Sequence, residues 1–226
     1  MTTITDQTLS RAELNALLQA PDRPMCFERC DFDGAELSGL DLRGLQFLSC
    51  SLAGTRLDRA VLTDTRWVRC RAGQADFGLA DLTGAHWRGS DLNNTQWTRA
   101  KLASALFSEV KLTGASFYEA RTLGLSFHAS RLVGADLRGI SFRKQTLEQL
   151  DLSEADLAGC DFREAVFDGG SLRDANLKNA RFEGADLRSA DLGGLRLAAV
   201  AQFFKGSIMS SSQAAALVGE LGVRVV

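Results

Sequence analysis

The chain has 226 residues, with 26 Lys plus Arg against 28 Asp plus Glu and a net charge of −2, which excludes a strongly basic nucleic-acid binder and an acidic tail. At 45% hydrophobic and 24% charged residues it can bury a sizeable core, so a disordered chain is excluded too. Five cysteines are too few for a disulfide scaffold and fit a reducing compartment, and with no long apolar window and no basic start before Arg11, neither a membrane span nor a signal peptide is expected and the location implied is cytoplasmic.

The first predicted element is a short helix. Ser10-Arg11-Ala12-Glu13 reads as a capping box, Leu14, Leu17 and Leu18 follow at helical spacing, and Pro21 stops the run. Residues 1–24 are therefore expected to form an amino-terminal cap segment.

From Phe27 to Leu197 a period of five takes over. Of the 35 positions whose numbers end in 2 or 7, 30 are Leu or Phe and three are Trp67, Trp87 and Trp97; the column holds 14 of the 17 aromatic residues. Two places earlier the residue is small in 27 of 35 cases, and the position between is often Asp, as in Ala135-Asp136-Leu137. Fourteen of the 21 glycines fall two residues after the Leu/Phe position. Five matches neither the helical period of 3.6 nor the strand period of 2, so the pattern predicts a coil that turns a corner every five residues, two facing in and three facing out. Four sides close a coil of 20 residues, glycine relieves the corners, and coils stack at about 4.8 Å. An array over 25–199 then makes a filled all-β solenoid of roughly 42 Å.

Residues 20 apart share a side of such a coil. Phe27, Phe47, Trp67, Trp87, Phe107, Phe127, Leu147, Phe167 and Leu187 form one internal ladder, while the opposite ladder is mostly Leu. Cys30, Cys50 and Cys70 stack in the small column. They read as apolar filler, with a metal or redox ladder as the alternative, since no His or carboxylate shares the column. Cys26, just outside the first coil, is a weakly marked candidate for reactivity, and His86 and His128 point outward and apart. With no nucleophile elbow, phosphate loop or metal spacing, and no concave pocket in a filled solenoid, neither an enzyme nor a cofactor is expected.

The outward charges are uneven. One side carries Asp31, Asp33, Asp91, Asp151, Glu154, Asp174 and Asp191 against Arg71, Lys111, Arg131 and Arg173, a net of −3 from these seven acids and four bases. It is the candidate partner-binding face, with a plain solvated surface as the alternative. Arg56, Arg59, Arg66, Arg69, Arg71 and Arg88 suggest nucleic-acid contact, but interleaved Asp58 and Asp64 argue against it.

After Leu197 the phase is lost. Phe203, Phe204 and Ile208 lie in a connector, Gln213 to Gly222 is predicted as a second helix stopped by glycine, and Val223-Arg224-Val225-Val226 reads as a strand-like tail. Residues 200–226 are expected either to cap the last coil or to meet another chain.

The A(D/N)LXX units resemble those of the pentapeptide-repeat family, which implies a right-handed quadrilateral β-helix with short helices at the two ends. The carboxyl-terminal stretch resembles that of the topoisomerase-protecting branch, the Qnr and MfpA proteins. That resemblance implies a homodimer, with Leu217, Leu221, Val223 and Val225 as interface residues, and a DNA-mimicking partner of DNA gyrase or topoisomerase IV that protects it from quinolones or a gyrase-poisoning toxin. Full mimicry over 42 Å would need about 25 negative charges. The net of −2 leaves recognition to shape and a local acidic stripe. The alternative function is a non-enzymatic scaffold for an unrelated protein.

Overall fold

The computed structural model describes residues 2–20, 25–194, 200, 202–219 and 221–225. The expected stops and phase markers at Pro21, Leu195 and Leu197 lie outside them. The chain divides into two compact units, Met1–Arg131 and Leu132–Val226, and the described residues of each include a stretch of parallel β-solenoid and a short helix.

In the first unit, seven short strands stack in sequence order in one parallel sheet: β1 (Thr3–Thr5), β2 (Cys26–Glu28), β3 (Gln46–Leu48), β4 (Arg66–Val68), β5 (His86–Arg88), β6 (Leu106–Ser108) and β7 (Ser126–His128). From β2 onward each residue pairs with the one 20 positions later, Phe27 with Phe47 and Phe47 with Trp67. Three further ladders of single bridges run through Asp31–Ser51–Arg71, Glu36–Arg56–Asp76 and Asp41–Val61–Asp81, which supplies the four sides of the coil. The second unit repeats the pattern with β8 (Thr146–Glu148) and β9 (Val166–Asp168) and with ladders through Asp151–Ser171–Asp191, Asp136–Asp156–Asn176 and Ser141–Asp161–Arg181.

Corners explain the five-residue period. The residue two places after nearly every inward Leu or Phe is left-handed, as at Gly34 with φ of 65°; Ser189 is an exception. Non-glycine residues occupy the same conformation, Arg59 at 57° and Leu79 at 60°, each against a steric cost of about 1–2 kcal/mol. Glycine is therefore the easiest occupant of the corner and not a requirement. Gly170 is different: it sits in the small inward column with φ of 78°, and an added Cβ would run into the Leu150 backbone.

The Asp column that precedes the inward residue also builds the corner. Its carboxylate accepts the backbone N–H two residues on: Asp76 from Gly78 at 2.8 Å, Asp156 from Ala158 at 3.1 Å, Asp186 from Arg188 at 3.1 Å. This is an Asx turn, which satisfies an N–H that the corner would otherwise leave to water. The small column contributes as well. Thr55 Oγ1 donates to the Phe32 carbonyl at 2.8 Å, and Cys50 and Cys70 donate to Phe27 and Phe47, both at 3.3 Å. Hydroxyls and thiols thus tie a corner to the coil before it.

Inside the first unit the ring ladder forms as expected. Phe47 and Trp67 stack at 3.9 Å and Trp67 and Trp87 at 4.3 Å. The opposite ladder is more aromatic there than "mostly Leu" suggests, with Phe77 and Trp97 stacked at 4.2 Å and Trp97 and Phe117 at 5.7 Å. The two stacks meet edge to face, Trp87 on Trp97 at 86°, the arrangement that ring quadrupoles favour.

Both ends depart from the repeat in ways that five-residue counting misses. β1 pairs with β2 at an offset of 23, Thr3 with Cys26 and Ile4 with Phe27, so a first rung precedes the cap helix. That helix, α1 (Arg11–Gln19), has the expected reciprocal capping box of Ser10 and Glu13 and buries Leu14. Arg11 holds it to the coil by donating to the Glu36 and Ser38 carbonyls, both at 2.8 Å. At the other end the step lengthens to 22. Gly184 N–H donates to Gly206 O at 3.0 Å, Ile208 bridges to Asp186, and Phe204 lies on Phe182 at 4.6 Å. The connector is thus a further rung of the ladder. Helix α2 spans Ser211–Gly219, two residues earlier at its start than expected, because Ser210 and Gln213 form their own reciprocal cap. The segment 223–225, expected to be strand-like, is irregular.

Candidate partner-binding site

The acidic face resolves into single residues with different tasks. In the first unit, Asp31 is half-buried and accepts from the Asp33 N–H at 2.9 Å. Asp33 accepts from Ser51 Oγ at 2.6 Å and from the Ala53 N–H at 2.7 Å, and Asp91 accepts from the Asn93 N–H at 3.1 Å. In the second unit, Asp151 accepts from Ser153 N–H and Oγ, and Asp191 accepts from the Gly193 N–H and pairs with Arg173 at 3.0 Å. Glu154 and Asp174 stand exposed at left-handed corners with φ of 59° and 55°. Five of the seven carboxylates therefore hold turns or neighbouring coils, and only these two are free to act chiefly as outward charge.

In the second unit arginine neutralises three members of the Asp column on the other sides. Asp136, Asp161 and Asp186 pair with Arg138, Arg163 and Arg188, each two residues on, at 2.7, 2.8 and 2.6 Å. The guanidinium hydrogen bonds hold all three carboxyls below the ordinary range. Arg181 adds a second cation to Asp161 at 2.9 Å. The Asp-x-Arg spacing was readable in the sequence, but its role depends on the Asx turn that folds both side chains to one side of the corner.

The other candidates resolve as follows. Cys26, Cys30, Cys50, Cys70 and Cys160 are all buried and unpaired. Burial pushes the Cys26 thiol up and that of Cys160 to about 12, which removes the suspicion of reactivity from Cys26, since the thiolate is the nucleophile. No metal-binding cluster occurs among the described residues, and no described helix is long and apolar enough to cross a membrane. His86 and His128 are exposed.

The four proposed interface residues separate. Leu217 is buried within the chain itself, in the seam between α2 and the coil of Ala190–Gly194. Gln213 closes that seam by donating to the Leu187 and Ala190 carbonyls, both at 2.8 Å. Leu221, Val223 and Val225 are 63%, 50% and 57% exposed, a cluster of aliphatic side chains presented outward just after α2.

Comparison with known proteins places these features. Family models for a pentapeptide repeat region and for pentapeptide repeats match residues 25–97 and 171–198. No curated protein matches the sequence. Among solved structures, a trypsin-treated point variant of QnrB1, a plasmid-mediated fluoroquinolone resistance protein, is similar at a TM-score of 0.68 and 19% identity, covering 100% of both chains. A second trypsin-treated point variant gives 0.59 at 21% identity over 99% of this chain and 97% of that one, and full-length QnrB1 gives 0.58 at 20% over 98% and 97%.

Proposed function

Since the chain is a pentapeptide-repeat protein with the fold of QnrB1, we propose that it is a non-catalytic cytoplasmic binding module that docks on a type II topoisomerase, DNA gyrase or topoisomerase IV, and shields it from quinolones or from a gyrase-poisoning toxin. The observation that carries the reading is the end-to-end likeness to a fluoroquinolone resistance protein. Recognition on this reading uses the shape of the coil faces. A continuous acidic copy of DNA is not available to it, because most of the Asp column is tied into turns and arginine pairs, whereas duplex DNA presents one charge per about 1.7 Å.

The same reading includes a homodimer through the exposed Leu221, Val223 and Val225, with Leu217 supporting the helix from inside. A cluster of aliphatic side chains left outward favours association. Purified protein added to gyrase supercoiling reactions is expected to restore activity in the presence of ciprofloxacin. The absence of both protection and inhibition at micromolar concentration would sink the topoisomerase reading. Light scattering is expected to give a dimer that Leu221→Glu/Val223→Glu converts to monomer.

A further inference from the structure

Arginines of the first unit commonly lie against a carboxylate. Arg29 pairs with Asp6, Arg43 with Asp41, Arg56 with Glu36, Arg59 with Asp58, and Arg99 with Glu119. On the outer face of β3–β6 that pairing fails. The side chains of Arg66 and Arg69 make no hydrogen bond or ion pair among the described residues, and that of Arg88 reaches only Glu109, at 3.6 Å. The cause is visible in the register. Arg66 lies between Gln46 and His86, and Arg88 between Val68 and Ser108, so the ladder places no carboxylate beside them. Adjacent strands lie about 4.8 Å apart and diagonal neighbours roughly 7–8 Å, which gathers Arg66 and Arg88, with Arg69 at the strand end and His86 beside Arg66, into one arginine-rich island.

The island is not purely polar. Leu48, Val68 and Leu106 are half-buried on the same flat face, so aliphatic groups lie among the guanidinium groups. Arginine beside aliphatic side chains is the composition of a protein interface. Three arginines make a small patch against duplex DNA, which presents one charge per about 1.7 Å, and a phosphate backbone offers no aliphatic group to cover Val68. We propose that this face, from Gln46 to Ser108, is a docking surface for an acidic protein segment in which carboxylates flank an aliphatic residue: the carboxylates pair with Arg66, Arg69 and Arg88, and the aliphatic group covers Val68. The proposal goes beyond the topoisomerase reading and does not depend on which protein supplies the segment.

A Glu-Leu repeat peptide serves as the probe, with a 20-base-pair duplex as the competing ligand, followed by amide shifts of the 15N-labelled full chain. The peptide is expected to move the amides of residues 66–69 and 86–88 and to bind more weakly as salt rises. Arg66→Glu/Arg88→Glu should lower its affinity at least tenfold, and Arg66→Gln/Arg88→Gln, which adds no new charge, should lower it less. Circular dichroism checks that both variants keep the solenoid. Shifts confined to other faces, unchanged affinity in both variants, or tighter binding of the duplex than of the peptide would each overturn the proposal. Gyrase protection by the same variants is read separately: an intact protective effect with lost peptide binding leaves both ideas standing, and loss of protection in the wild type strikes only the topoisomerase reading.

Discussion

The two units answer the same five-residue pattern with different interiors. The first fills two opposite sides with rings: Phe47, Trp67 and Trp87 stack on one, Phe77, Trp97 and Phe117 on the other, and the stacks lock edge to face. The second has Leu147 and Leu187 among the inward residues of its strand side and moves its rings to the column of Phe142, Phe162 and Phe182, stacked at 4.9 and 4.8 Å. Surfaces differ in the same sense. The second unit fastens three corners with Asp-x-Arg pairs, at Asp136, Asp161 and Asp186, whereas the first has such a pair at Asp41 and Arg43 and leaves the side chains of Arg66 and Arg69 without a partner among the described residues. The period dictates which side chains point inward; which side receives the rings, and which corners receive a pair, is free to vary. That freedom is where one repeat protein can differ from another without changing its fold.

The largest expected effect comes from breaking either ring system. Phe107, fully buried against Phe117 and Phe127, should cost the first unit about 3–5 kcal/mol as Phe107→Ala. Phe162→Ala should cost the second unit about the same. All three tryptophans, Trp67, Trp87 and Trp97, belong to the first unit, so their fluorescence reports that unit alone, whereas far-ultraviolet circular dichroism reports both. Urea titrations followed by the two signals should show Phe107→Ala lowering the fluorescence midpoint. If Phe162→Ala lowers the fluorescence midpoint equally, the units unfold together and the comparison is one of packing only.

Acid should sharpen the difference in the corners. Asp136, Asp161 and Asp186 have folded pKa values held below the ordinary carboxylate value by the hydrogen bonds of Arg138, Arg163 and Arg188. A group depressed on folding contributes stability that is present above its unfolded pKa, near 4, and is lost as pH falls through the folded value. Arg138→Gln/Arg163→Gln/Arg188→Gln should therefore lower the urea midpoint at pH 7 and leave it close to that of the wild type near pH 2. An equal loss at both pH values would mean that the arginines act through packing of their stems and not through charge.

Much of this was legible in the sequence because the inward column is nearly uninterrupted, from Phe27 through Leu192, and side-chain burial enforces it. The capping box of Ser10 and Glu13 was legible for the same reason, being a local pattern with a local cause. What escaped were changes of step. Thr3–Thr5 pairs at 23 and Gly206–Ile208 at 22, so neither falls in a column of five, although Phe204 on Phe182 follows the same principle as every other rung. The candidate acidic face was legible as composition and misleading as chemistry: Asp31, Asp91 and Asp151 look like surface charge in the sequence, and only the corner geometry turns their oxygens toward backbone N–H groups. Leu217 looked like Leu221 in pattern, and the difference between them, one buried and one exposed, depends on where α2 meets the last described coil.

The smallest predicted effect tests how completely the ring stacks of the first unit are satisfied. Trp67 donates its indole N–H to Thr65 Oγ1 at 2.9 Å and Trp97 to Thr95 Oγ1 at 2.8 Å, and each threonine in turn donates to the carbonyl three residues back. Trp87, stacked between Trp67 and Phe107, has Ala85 at the equivalent place, and its indole nitrogen has no hydrogen-bond partner among the described residues. A buried donor without an acceptor costs about 1–3 kcal/mol. Ala85→Thr recreates the arrangement found on both neighbouring tryptophans, with Leu82 O as the acceptor for the new hydroxyl, and should stabilise the first unit by about 1 kcal/mol, read as a raised fluorescence midpoint. A lowered midpoint would show that the inward column at Ala85 is packed too tightly for the extra methyl and hydroxyl, and that the first unit tolerates the orphan N–H because closer stacking of Trp67 on Trp87 outweighs it.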